Sequence, residues 1–201
     1  MRLLLFSDVH TDLNAARSLV SRSSEADVVV GAGDFCSMRR RLEPTIEILS
    51  RISRPTVVVP GNSESQEELQ RACRQWEACS VLHGTATVIH DVPFFGIGGG
   101  IPVTPFGAWS YDFTEAEATD LLADCPERAV LVSHSPPYGA VDVSSRGERL
   151  GSKALAEVVE ARSPRLVVCG HIHGSWGRTE KLHGVPVHNA GPTGTLWELE
   201  P

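Results

Sequence analysis

Short runs of apolar, β-branched residues punctuate the chain at Arg2–Phe6, Asp27–Val30, Thr56–Val59, Ala129–Ser133 and Arg165–Cys169, and each gives way to a small or turn-forming residue. Continuous apolar character bounded by turn signals predicts strands buried on both faces. Helical spacing fills the early intervals, from Leu13 to about Ser23 and from Arg41 to about Ile52, so the N-terminal part reads β-α-β-α-β. Ser65 with Glu68 and Thr114 with Glu117 have capping-box spacing and predict two further helix starts. Another helix is expected from Ser152, with Pro164 ending it.

The middle and the C-terminal part follow a different rhythm. Thr85–His90, Phe94–Ile97, Trp176–Lys181, Pro186–His188 and Thr195–Leu199 have strand character with no helix between neighbours. An α/β architecture of two packed mixed sheets with helices outside accommodates both rhythms. No repeat, low-complexity tract or long linker divides the chain, and 201 residues suit one domain, so a single domain over residues 1–201 is expected.

Composition narrows the possible partners. Eighteen Lys and Arg against 25 Asp and Glu leave a net charge of -7, which opposes binding of long nucleic acid or an anionic membrane. A phosphate-bearing ligand must then be attracted by something local. Cysteines 36, 73, 79, 125 and 169 are odd in number and form no C-x-x-C pair, so neither a disulfide framework nor a zinc knot is suggested. The apolar start meets Ser7 and Asp8 too soon for a signal peptide, and no later run reaches membrane-spanning length. A cytoplasmic setting is the expectation.

The chemistry lies where strands end. Asp8 and His10 follow the first strand, Gly33-Asp34 the second, Gly61-Asn62 the third, Ser133-His134 a later one, and Gly170-His171-Ile172-His173 the strand at Leu166–Cys169. Taken singly, an Asp or Asn after a strand makes a turn or caps a helix, and a lone His is hydrogen-bonded structure. Five strand ends delivering such side chains to one rim, the edge where open α/β sheets place ligands, point instead to a metal site.

The ordered set D-x-H at 8–10, G-D at 33–34, G-N at 61–62, His134 and G-H-x-H at 170–173 resembles the calcineurin-like metallophosphoesterases, over nearly the whole chain. Gly33-Asp34-Phe35-Cys36, Thr104-Pro105-Phe106-Gly107, Ser133–Gly139 and Asn189-Ala190-Gly191-Pro192 are similar to its small prokaryotic branch, the Icc-related phosphoesterases. The resemblance implies a four-layer α/β/β/α sandwich with a dinuclear centre at the rim of the two central sheets. It also implies that Asp8, His10 and His173 hold one ion, Asn62, His134 and His171 the other, and Asp34 bridges them. Mixed N/O ligands without thiolate favour two divalent transition-metal ions, Mn²⁺ first, with Fe, Zn or Ni as alternatives. A hydroxide bridging such ions would attack phosphorus directly. Asp34, Asn62, Ser63 and His134 are then the expected catalytic group.

One position departs from the family pattern. Many members have His after Gly-Asn, thought to protonate or polarise the leaving group, whereas this chain has Ser63. A serine hydroxyl is a poor proton donor at neutral pH, so esters with good leaving groups should suffer least. Among loop arginines, Arg146 and Arg149, with Asn62 and Ser63, are the candidates for holding phosphate oxygens. Arg39, Arg40 and Arg41 read better as a solvated run before a helix, and Cys36 as a packed small residue. Gly96–Gly100 lacks the final glycine of a dinucleotide loop, and Gly61–Ser65 lacks the second glycine of a nucleophile elbow. The expected activity is phosphodiester hydrolysis of a small phosphoester or nucleotide. A phosphomonoesterase or protein phosphatase, and a non-catalytic scaffold of the same fold, are the alternatives.

Overall fold

The computed structural model describes residues 1–200. Strands β1 (Arg2–Phe6), β2 (Val28–Gly31), β3 (Thr56–Val58) and β4 (Cys79–Val81) run parallel, and β11 (Thr195–Glu198) lies antiparallel beside β1, giving the order β11-β1-β2-β3-β4. The second sheet has the order β5-β6-β7-β8-β10-β9, from β5 (Thr85–Ile89), β6 (Val92–Ile97), β7 (Val130–Ser133), β8 (Leu166–Cys169), β9 (Thr179–Leu182) and β10 (Val185–Asn189). Its four inner strands are parallel and its two outer ones antiparallel.

Side-chain alternation along the strands builds three apolar layers. Leu4, Phe6, Val29 and Val58 pack against α1 (Leu13–Arg22), α2 (Leu42–Leu49) and α3 (Gln66–Ala72). Leu3, Leu5, Val28, Val30 and Val57 point the other way, onto Phe94, Val130, Val132, Leu166 and Val168 of the second sheet. Phe95, Leu131, Val167 and Val187 then meet α4 (Glu115–Leu122) and α5 (Lys153–Arg162). Helix, sheet, sheet, helix is the four-layer order expected, and it explains why the central strands are apolar without alternation: both faces are covered.

The helix starts follow their caps. Ser65 and Thr114 each accept from the N3 backbone while Glu68 and Glu117 reach back, and Ser152 caps α5 alone. Two segments differ from the sequence reading. Trp176 was expected in a strand over Trp176–Lys181, but β9 begins at Thr179, because Trp176 is held in the preceding loop by an indole N–H bond to Asp8 and by its ring lying 4.3 Å from that of His173. The three-residue strand β4 escapes the pattern because its half-buried Cys-Ser-Val is too short to show a period. The hairpins β5–β6 and β9–β10 close through His90-Asp91 and His183-Gly184, all at positive φ, as tight two-residue turns require. No helix among the described residues is long and apolar enough to cross a membrane.

Candidate metal centre

The parallel strands of both sheets end at one rim, and there the backbone takes unusual conformations. Asp8, His10, Asp34 and His171 all have positive φ, between 45° and 65°. Such conformations strain a non-glycine residue and persist where surrounding bonds over-determine them. Here Asp8 N–H donates to Gly33 O and His10 N–H to Asp34 O, lacing the loops after β1 and β2 together. Gly33 takes φ 88° in close contact with Gly61 and His134, so neighbouring loops meet backbone to backbone.

Seven side chains converge in consequence. His10 Nε2 lies 3.1 Å from His173 Nε2, 3.4 Å from Asp34 Oδ2 and 3.9 Å from Asp8 Oδ1, and His173 Nε2 lies 3.7 Å from Asp8 Oδ1. On the other side, Asn62 Oδ1 lies 3.1 Å from His134 Nε2 and 3.2 Å from His171 Nδ1, while His134 Nε2 lies 3.5 Å from Asp34 Oδ1. The two oxygens of Asp34 therefore face the two halves. Asp8, His10 and His173 form one group whose donor atoms lie within 4.8 Å of one another, and Asp8, Asp34 and His134 form an overlapping one.

The donor chemistry of this cluster fits cations. His10 Nδ1 donates to Cys36 O and His134 Nδ1 to Ala32 O, so in the neutral rings both Nε2 atoms carry lone pairs. Asn62 Nδ2 donates to Ser110 Oγ, which turns Oδ1 toward the imidazoles. His10 Nε2 and Asn62 Oδ1 thus each present a lone pair to a neighbouring imidazole nitrogen, a position that a proton or a metal ion can fill. Neutral rings, the form that ligates a cation, are favoured at two positions: burial and then the charge of His134 drive His171 down to about 3, and burial lowers His173. Burial also opposes charge on His134 and Asp34, but their mutual attraction wins, raising the first and lowering the second. Metal ions would satisfy all seven groups at once.

Residues that the sequence did not single out hold the cluster in shape. Asp8 Oδ2 accepts from Ser7 Oγ and Trp176 Nε1, and Asp8 Oδ1 from the His171 backbone. Ser110, which orients Asn62, is itself held by Asp112. Glu64 is wholly buried, and its carboxylate accepts from the backbone N–H groups of Asp34, Phe35, Cys36 and Gly61, tying the loop after β2 to the loop after β3. Burial, then the charge of Asp34, push its pKa up to about 7. Nothing in its sequence neighbourhood marks Glu64 as buried.

Above the cluster opens a basin of about 550 Å³ lined by His10, Asp34, Asn62, Ser63, His171 and His173, with apolar walls from Met38, Phe106 and Leu150. Ser63 is buried, and its backbone N–H donates to Asp34 Oδ1. Arg146 and Arg149 line a neighbouring recess rather than this basin, and the Arg149 guanidinium is ion-paired with the buried Asp142. Arg39 is likewise engaged, with Glu68 and Trp109 O. Burial raises the pKa of the Cys36 thiol, which contacts Ser63 O, so it is packed structure as expected.

Residues 1–200 match the calcineurin-like phosphoesterase superfamily domain. The chain is 28% identical over 195 residues to a probable rhamnogalacturonate lyase C of Emericella nidulans, covering 89% of this chain and 18% of that one. It is 23% identical over 174 residues to a probable glycerophosphodiester phosphodiesterase GpdQ of Arcobacter nitrofigilis, covering 83% of this chain and 64% of that one. It thus spans less than two thirds of the length of either relative. The crystal structure of TT1561 of Thermus thermophilus shares the fold, with a TM-score of 0.77 at 22% identity, covering 96% of this chain and 90% of that one.

Proposed function

The chain belongs to the calcineurin-like phosphoesterase superfamily, and from that premise we propose that it is a metal-dependent hydrolase of small phosphodiesters. The observation that carries the reading is the convergence of six nitrogen- and oxygen-bearing side chains, three on each side of Asp34, in two groups of metal-ligand type. Asp8, His10 and His173 would hold one divalent ion and Asn62, His134 and His171 the second, with Asp34 between, in keeping with the dinuclear centre of the family. Such ions supply positive charge for the phosphate's non-bridging oxygens and ease the deprotonation of water. The N/O donor set favours Mn²⁺, with Fe, Zn or Ni as alternatives.

The protein's own part is orientation and charge balance. Asp8 and Asp34 bring two carboxylates against two dications, while neutral Asn62 and the imidazoles leave the rim electrophilic. Ser110 fixes the Asn62 amide, and Ser7 and Trp176 fix Asp8, so no donor has to reorganise when an anion arrives. Ser63 offers the basin a hydroxyl that can donate a hydrogen bond to a phosphoryl oxygen but is a poor acid. Diester over monoester is supported by that missing proton donor and by the name of the Arcobacter relative. A small phosphoester or nucleotide also suits the net charge of -7, which leaves attraction confined to the rim.

Metal analysis together with hydrolysis of bis(4-nitrophenyl) phosphate and 4-nitrophenyl phosphate tests this. The expected result is two ions per chain and a diester preference of about tenfold or more in kcat/KM. Asp34→Asn should lose at least one ion and on the order of 10³-fold in kcat/KM. Full activity and two ions in that variant would overturn the site. A monoester preference would replace the diesterase reading, and failure to load metal would favour the scaffold.

A further inference from the structure

Large apolar side chains left in contact with water gather on one side of this molecule. Met38, Val103, Phe106, Tyr138, Leu150 and Trp176 are exposed around the rim, and Val88 on the edge strand β5 is exposed elsewhere. Single exposed hydrophobics are ordinary, but a group of them beside a polar centre marks a binding surface.

Val103, Phe106, Tyr138 and Leu150 line a recess of about 860 Å³ that shares Phe106, Ser144, Ser145, Leu150 and His171 with the basin above the cluster. The recess is thus continuous with the site and of a size that suits a small organic group. Phe106 lies stacked on Trp109, centroids 5.5 Å apart and planes 14° apart, which presents a flat aromatic platform. That platform is anchored: Thr104 bonds Asp112 and Ser110, the network that also orients Asn62.

Charge in the recess is partly spoken for. Arg149 is held by Asp142, and Glu115 accepts from Ser152 Oγ and the Lys153 and Ala154 backbone at the start of α5. Arg146, Glu148 and Lys153 form no ion pair among the described residues, so a ring entering here meets apolar walls with charges of both signs at the edge.

We infer that this recess receives the organic half of the substrate as a planar aromatic ring, an aryl group or a nucleobase, stacked on Phe106 against Leu150 and Tyr138. The inference rests on the phosphoester reading of the neighbouring basin, which takes the phosphoryl group. A glycerol-sized polar alcohol would gain nothing from these walls, so selectivity for aromatic esters follows.

Calorimetric titration of the metal-loaded protein with phenylphosphonate and with methylphosphonate tests this without turnover. The phenyl compound should bind about tenfold or more tightly, and the ratio should fall at least threefold in Phe106→Ala/Leu150→Ala and in Val103→Ala/Tyr138→Ala, while Val88→Ala keeps it. The phosphonate analogue of adenosine 5′-monophosphate, run alongside, binds tighter than phenylphosphonate if the ring is a nucleobase and weaker if it is a simple aryl group. Equal affinity of phenyl- and methylphosphonate, or a ratio that survives in both variants, would overturn the recess inference and leave the phosphoester reading standing. A chain that holds two ions yet binds neither phosphonate would overturn both.

Discussion

At the scale of single residues, Glu64 carries the sharpest consequence. It places a carboxylate in the interior within reach of four backbone N–H groups, which is why the loops bearing Asp34 and Asn62 keep their spacing. Burial, then the charge of Asp34, lift its folded pKa to about 7 from an ordinary 4.5, against the opposing pull of the Gly61 and Cys36 N–H groups. A raised carboxyl pKa means that its stabilising share is complete below about pH 4.5 and is lost as pH rises through about 7. In metal-free protein, thermal melts across that window should fall more steeply for the parent than for Glu64→Gln, by several degrees. Parallel curves would show that Glu64 does not titrate there. The position was invisible in the sequence because burial of a charged residue depends on what the rest of the chain packs over it, whereas Asp8, Asp34 and the G-H-x-H histidines were legible from their place after apolar strands.

At the scale of elements, strand ends and the loops after them form one laced unit. A side chain at Gly61 would strike the Asp34 carboxylate and backbone, so that position is reserved for glycine by contact rather than by conformation. Gly61→Ala is expected to fold, because the buried strands β2 and β3 are untouched, and to lose metal affinity by roughly tenfold or more as Asp34 is displaced. Metal titration of the variant checks this; unchanged affinity would mean that the loop relaxes without moving Asp34. The capped helices, the apolar strands and the β-α-β start were readable because each follows from local spacing. The length of β4 and the start of β9 were not, since Trp176 leaves strand geometry only to reach Asp8, a partner 168 positions away.

At the scale of the whole molecule, the candidate centre joins two sheets. Asp8, Asp34 and Asn62 follow strands of the first sheet and His134, His171 and His173 strands of the second, so ions held among them would bind the sheets together at the rim. Metal present at a hundredfold its dissociation constant should add about 2.7 kcal/mol of stability, raising Tm by roughly 5–10 °C in a chain of this size. Scanning calorimetry before and after chelation measures it, and a Tm indifferent to metal would argue against ligands shared between the sheets. The sequence by itself determined the layered α/β class, the strands buried on both faces and the ligand-type residues at their ends, because those depend on spacing along the chain. Only the tertiary structure decided that Glu64 clamps two loops, that Ser110 and Trp176 orient Asn62 and Asp8, that Arg149 is tied to Asp142, and that exposed apolar residues form a recess beside the cluster. Each of these rests on contacts between segments distant in sequence, and no local pattern encodes which distant group will be the partner.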